Sequence, residues 1–254
     1  MIGFEMPLPS QRKKSAAARW LLLCIVVASF VSVQTLRSQV RASVAGAAAV
    51  YNLPIGTLHD RYNGAVGGMV YAGGEVSAQW LWTGKFEYFE LTSLNTDALQ
   101  KNVTLGTGTT MERYKVPLPK LTMKLTAASL TAEAQLSLLR TSEFQSHAVL
   151  GFGFVNWVHT RGAYYDSLFV DSAATGHRVK AADLAVPASR QEDWSGTLNL
   201  GLDAAVKLVD PVWLVAGVDY KLIVGELWQT LDLDLENVAG MQFVSFRVGL
   251  RAEF

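Results

Sequence analysis

Polar and apolar residues alternate over long stretches of this chain, and the alternation has a period of two. It is clearest over Met241–Phe254. Val244, Phe246, Val248, Leu250, Ala252 and Phe254 form one wholly apolar set, while Phe243, Ser245, Arg247, Gly249, Arg251 and Glu253 form a second set that is mostly polar or small. A helix, with its period of 3.6, would mix the two sets, whereas a strand places them on opposite faces. Trp194–Leu208 repeats the pattern, with Leu198, Leu200, Leu202, Ala204 and Val206 set against Thr197, Asn199, Gly201, Asp203 and Lys207. Val212–Val224 sets Leu214, Ala216, Val218, Tyr220 and Leu222 against Gly217, Asp219 and Lys221. The turn residues Val209-Asp210-Pro211 join these two runs into an antiparallel hairpin. A second hairpin precedes it, from Leu130–Leu139 through a turn near Arg140–Gln145 to His147–Val158, where Leu150, Phe152 and Phe154 share a face.

Alternation alone fits either a soluble β-protein, apolar face inward, or a membrane barrel, apolar face outward. Connection lengths separate the two. The turns near 140–145 and 209–211 are short, and the connections 159–193 and 225–240 are long. Membrane barrels have short periplasmic turns and longer extracellular loops. The expected fold is therefore an all-β, antiparallel transmembrane β-barrel with its apolar sets toward lipid. In the first half, Glu75–Thr83 alternates Val76, Ala78, Trp80 and Trp82 with Glu75, Ser77 and Gln79 and reads as a strand, and Lys85–Thr92 reads as its return. Asn102–Thr110 is a candidate third strand, and Leu121–Leu125 either extends the strand after it or forms another. The count is eight strands, with ten as the alternative, since these barrels carry even numbers.

Arg12, Lys13, Lys14 and Arg19 precede the apolar run Trp20–Val33, which is too short for a spanning helix of about 20 residues. This is the layout of a secretory signal peptide, with an uncleaved anchor helix as the competing reading. Small residues that suit cleavage occur at Val40-Arg41-Ala42 and again over Ala45–Ala49. The expected division is a signal peptide over 1–42, with cleavage between 42 and 49, followed by the barrel over 43–254. Composition agrees with export into a membrane. Charged residues are only 17% and hydrophobic residues 50% of the 254. The 22 basic and 22 acidic side chains give a formal net charge of +0, which offers nothing to a nucleic acid. Cys24 is the single cysteine and lies in the apolar run, so no disulfide framework or thiolate metal site is expected in the exported chain, and no cofactor is implied.

The candidate chemistry is a set of lumen-facing charges: Glu133, Asp203, Lys207, Asp219, Lys221, Arg247 and Arg251, with Glu253 nearby. An eight-stranded barrel is only wide enough for side chains to fill, so opposite charges there should pair as a structural plug. The competing reading is a gated polar pathway. Asp232-Leu233-Asp234-Leu235-Glu236 offers carboxylates but lacks the spacing and glycine of a calcium loop. His59, His147, His159 and His177 are scattered, and His159-Thr160 with Ser167 makes no recognisable nucleophile, base and acid set. The connection 159–193 holds Arg161, Tyr164, Tyr165, Phe169, Arg178, Lys180 and Arg190, residues suited to a partner or to lipopolysaccharide phosphates. Trp80, Trp82, Trp157, Trp194, Trp213 and Trp228 are candidates for interfacial aromatic girdles or for packing.

Trp20–Val33, the hairpins between Leu130 and Val224, and Met241–Phe254 together resemble the OmpA/OmpX/OmpW-type group of small outer-membrane barrels. The terminal aromatic Phe254 is similar to that group's C-terminal signal for the barrel-assembly machinery. The resemblance implies a bacterial outer-membrane location and contact with membrane lipid and lipopolysaccharide. It implies a structural or surface-interaction role through the extracellular loops. The alternatives are a narrow channel for small solutes and, third, a lipid-modifying enzyme.

Overall fold

The computed structural model describes residues 42–107, 110–171, 177–227 and 238–254. The strands in chain order are β1 Ser43–Ile55, β2 Ala65–Glu75, β3 Trp80–Leu91, β4 Gln100–Thr107, β5 Thr110–Pro117, β6 Met123–Arg140, β7 Phe144–Arg161, β8 Tyr164–Asp171, β9 Arg178–Val186, β10 Ser189–Val209, β11 Val212–Leu227 and β12 Val238–Glu253. Eight of them, β1, β2, β3, β6, β7, β10, β11 and β12, close into an antiparallel barrel in which each pairs with the barrel strand next to it in the chain. Closure is between β1 and β12, in register from Val44↔Glu253 to Ile55↔Gln242. The other four make two separate hairpins, β4–β5 and β8–β9.

The apolar sets face outward. Leu198, Leu200 and Leu202 on β10, Val218 on β11, and Phe246, Val248 and Leu250 on β12 are all exposed, as are Leu150, Phe152 and Phe154 on β7. The alternate positions on the same strands, including Asp203, Asp219, Lys221, Arg247 and Arg251, are buried in the lumen. Soluble monomers rarely expose apolar patches beyond a few hundred Å². Here the band runs around a closed wall with no free edge, the arrangement that satisfies every backbone group in hydrocarbon. The chain is a transmembrane β-barrel of the outer-membrane type. Trp80, Trp82, Tyr88 and Trp194 lie on this outer face at 42–70% exposure, as girdle residues do. Trp157 and Trp213 face inward and are buried.

The short turns, at 76–79, 141–143 and 210–211, lie at the end that carries Ser43 and Phe254, and the long connections lie at the other. The short turns therefore mark the periplasmic end. The first half departs from the sequence reading. Glu75–Thr83 is not one strand: residues 76–79 are the β2–β3 turn, in which Val76 N and Ser77 N donate to Trp80 O. Ser77 Oγ also accepts from Gln79 N and Trp80 N, so a polar turn motif interrupts a stretch that alternates by accident. Of the expected strand Asn102–Thr110, residues up to Thr107 belong to β4 and Thr110 begins β5, a hairpin outside the barrel wall, and 108–109 lie outside the described residues. Leu121 lies just before β6, and Met123–Leu125 extends it. The wall strands that replace these are β1 and β2, rich in Ala and Gly. Ala45–Ala49, one of the two candidate cleavage stretches, lies inside β1.

Candidate functional site

Charged faces of five strands, β3, β6, β10, β11 and β12, converge at the middle of the lumen. Arg247, from β12, donates through Nε and Nη2 to Asp203 Oδ1 of β10 at 2.8 and 2.5 Å. Its Nη1 lies 3.0 Å from Asp219 Oδ2 of β11 and 4.0 Å from Glu133 Oε1 of β6. Lys85 of β3 pairs with Glu133, and Lys221 of β11 pairs with Glu87 of β3. All seven side chains are buried. Lys221 Nζ also donates to Asn52 Oδ1 of β1 at 3.1 Å, and Ser245 Oγ donates to the same oxygen at 2.6 Å. The planar guanidinium suits this position because its fork reaches carboxylates on two strands at once.

Space for the carboxylates comes from glycines on the facing strand. Asp203 is opposite Gly217 and Asp219 is opposite Gly201. A Cβ on Gly217 would lie 2.0 Å from Asp203 Oδ1, and one on Gly201 would lie 2.1 Å from Asp219 Oδ1. Each acid thus lies over a bare backbone position and reaches sideways to Arg247. Glu133 has the same relation to Gly151 of the Gly-Phe-Gly stretch.

The structure divides the expected charge set. Glu133, Asp203, Asp219, Lys221 and Arg247 meet in the central layer. Arg251 lies toward the periplasm, where Nη2 donates to Gln145 Oε1 at 2.5 Å and to Glu253 Oε1 at 2.7 Å. Lys207 leaves the cluster and pairs with Asp210 of the adjoining turn. It sits at the end of β10, where its flexible stem reaches the rim. Both cations pack over the ring of Trp213, at 5.8 and 5.7 Å. Phe254, at the rim of the same end, is 74% exposed. Asn52 was missed because β1 has no reading in the sequence, and Lys85 and Glu87 because the strand read over Lys85–Thr92 carries too little alternation to fix its inward face. Once β3 is in place, Thr83, Lys85 and Glu87 occupy its inward parity.

Toward the extracellular end the lumen becomes apolar. Phe89 of β3 and Phe243 of β12 stack edge to face at 5.3 Å directly above the charges, with Lys221 Nζ 5.1 Å from the Phe89 ring. Above them Val155, Trp157, Leu91, Leu125, Ile223 and Met241 continue inward from the wall. They pack with Leu58 and Tyr62 of the β1–β2 connection, Leu99 and Leu118 flanking β4–β5, and Tyr164, Leu184 and Val186 of β8–β9. Trp157 Nε1 donates to Ser195 Oγ at 2.8 Å inside this core. Lys101 Nζ donates to Ala185 O at 2.5 Å, tying one hairpin to the other. Burial raises the Tyr62 phenol above its ordinary value and lowers the neighbouring Arg61 guanidinium. The cavity bordered by Glu133, Asp203, Arg247, Arg251 and Tyr71 has a volume of only about 10 Å³, room for one water.

No group of His, Cys, Asp and Glu suited to a metal occurs among the described residues. Asp232–Glu236, His177's neighbours at 172–176 and Trp228 lie outside the described residues. His147 and His159 are buried in the lumen near opposite ends of β7, and Ser167 Oγ donates to Asp183 Oδ1 at 3.4 Å.

No protein-family model matches the chain, and no curated protein matches it. Solved structures similar to it include bacterial outer-membrane proteins. Neisserial surface protein A is 13% identical, covering 84% of this chain and 99% of that one, with a TM-score of 0.46. A major outer membrane protein from Thermus thermophilus is 11% identical over 84% and 99%, with a TM-score of 0.49. Ail, the attachment invasion locus protein of Yersinia pestis, is 11% identical over 84% and 97%, with a TM-score of 0.39.

Proposed function

We propose that this protein is a closed outer-membrane barrel that works as a surface-interaction scaffold, presenting the β4–β5 and β8–β9 hairpins outside the cell. The observation that carries the reading is the filled lumen. Paired charges occupy its middle and a continuous apolar core occupies its outer end, leaving about 10 Å³ beside Arg247. Solute flow would require breaking buried ion pairs and unpacking the cap together, which disfavours the narrow channel. The hairpins carry the groups suited to recognition. On β8–β9, Tyr165, Phe169, Val170 and Val179 are exposed, and Arg178 lies 5.9 Å over the Phe169 ring. Such amphipathic rings and arginines are the groups that anchor protein interfaces. Phe254 is proposed as the residue read by the assembly machinery, and its exposed side chain supports that role.

Planar-bilayer recordings with purified protein test the closed lumen, and adhesion of cells to protein- and glycan-coated surfaces tests the scaffold. The expected results are no conductance steps, and adhesion that falls when residues 166–184 are replaced by a short Gly-Ser turn while the barrel still folds. Regular single-channel steps, or adhesion unchanged by the replacement, would overturn the reading.

A further inference from the structure

We infer that proteolytic maturation cuts the Ala42–Ser43 peptide bond, so that Ser43 is the first residue of the membrane form. The inference rests on the reading that the chain is exported through a cleaved leader.

Two stretches carry residues small enough for a processing peptidase, Val40-Arg41-Ala42 and Ala45–Ala49. The structure gives the second stretch another task. Its residues form β1 rungs on both sides, Ala45 to Ala252 and Ala72, Ala47 to Leu250 and Val70, Ala49 to Val248 and Gly68. Their small size has a local cause. A Cβ on Gly46 would lie 2.4 Å from the Tyr71 ring and 2.6 Å from Leu250 O. Ala48 borders the narrow cavity beside Arg247 and Arg251. Smallness at Gly46 and Ala48 is therefore a packing requirement of the wall, while Ala45, Ala47 and Ala49 face outward as exposed wall positions, and the case against a cut in this stretch comes from the ladder.

The ladder also sets how far the cut can move. Ser43 N donates to Phe254 O at 3.0 Å, and Phe254 N donates to Ser43 O at 2.8 Å, a reciprocal pair at the periplasmic edge of the seam. Val44 is buried inside that edge. A cut after Ala45 removes this pair and Val44. A cut after Ala49 removes six of the twelve β1–β12 rungs between Val44 and Ile55, and leaves the facing parts of β12 and β2 as open edges in hydrocarbon, where unpaired backbone groups are expensive. Cleavage precedes folding, so the peptidase does not sense these bonds; they decide which product can close. Hydrolysis after Ala42 adds water across one peptide bond. It releases Ala42 as a carboxylate and frees the Ser43 amine, which remains within hydrogen-bond distance of Phe254 O. The bond lost is the one from Glu75 N to Ala42 O, at the exposed β2–β3 turn where water can replace it.

The test is intact-mass measurement and N-terminal sequencing of protein extracted from outer-membrane fractions of cells expressing the full chain. The expected N-terminus is Ser43. A membrane-inserted protein that begins at Gly46 or later overturns this inference and leaves the export reading standing. A chain that retains its leader and never reaches the outer membrane overturns the export reading itself. An Ala42→Trp variant gives a second readout. It should accumulate as uncleaved precursor, and correct processing of that variant at Ser43 or at any site within 45–49 would contradict the assignment.

Discussion

Replacing Arg247 by Leu removes the cation that reaches Asp203 and Asp219 together. Lys85 stays with Glu133 and Lys221 stays with Glu87, so neither lysine is free to take over. Two buried aspartates then lose the guanidinium between them, and the cations still acting on Asp219, Lys85 and Lys221, are engaged with Glu133 and Glu87. Breaking a buried, hydrogen-bonded pair by removing one member costs about 3–5 kcal/mol. For a domain of this size that corresponds to a fall in the unfolding midpoint of roughly 6–20 °C. The assay is the heat-dependent change in gel mobility and tryptophan fluorescence of the protein in detergent micelles. The Arg247→Leu, Asp203→Asn, Asp219→Asn triple variant should regain most of the loss, because the stranded charges have gone with their partner. A single variant that melts like the wild type, or a triple variant no better than the single, would refute the claim that this cluster holds the barrel together. Arg251→Leu is the internal comparison, and should cost less because its acid, Glu253, is partly exposed and screened.

Further outcomes follow from the same geometry. Leu200→Arg, at the middle of the lipid-facing band, should destabilise the barrel in bilayers by about 2–4 kcal/mol, measured by denaturant unfolding in lipid vesicles. Gly217→Val should lose about 1–3 kcal/mol or more, read in the same vesicles, because its side chain would occupy the space of the Asp203 carboxylate. Trp157→Phe should lose about 1–3 kcal/mol in that assay by stranding Ser195 Oγ inside the apolar cap, and a Ser195→Ala partner should restore part of it.

The wall from β6 onward was legible because its two faces meet solvents of opposite kind. Leu200 and Leu202 against Asp203, or Phe246 and Val248 against Arg247, can be separated by parity alone. Gly217 and Gly201 could be placed inward in the same way, although their pairing with acids required the register. The first half resisted because β1 and β2 are built from Ala and Gly, which carry little hydropathy contrast, and because the Val76–Gln79 turn alternates like a strand. The apolar plug was missed for a different reason. Phe243, Ile223, Trp157 and Leu125 occupy the inward parity of their strands yet are apolar, so both faces turn apolar near the extracellular end. That loss of contrast is a signal in its own right, and it marks where loops fold into the lumen. The β4–β5 and β8–β9 hairpins have β-patterns that look like wall strands, and only pairing shows that they stand apart from it.

In this barrel the apolar set faces lipid and the charged set fills a closed interior. Single cysteines placed in turn at 197, 198, 199, 200 and 202, spin-labelled in vesicles, report the two faces separately, since the chain's one cysteine, Cys24, lies ahead of the barrel. Labels at 198, 200 and 202 should collide readily with dissolved oxygen and hardly with a water-soluble paramagnetic reagent. Those at 197 and 199, which replace buried inward side chains outside the Arg247 cluster, should be shielded from both. High contact with the aqueous reagent at 197 and 199 would contradict a closed interior.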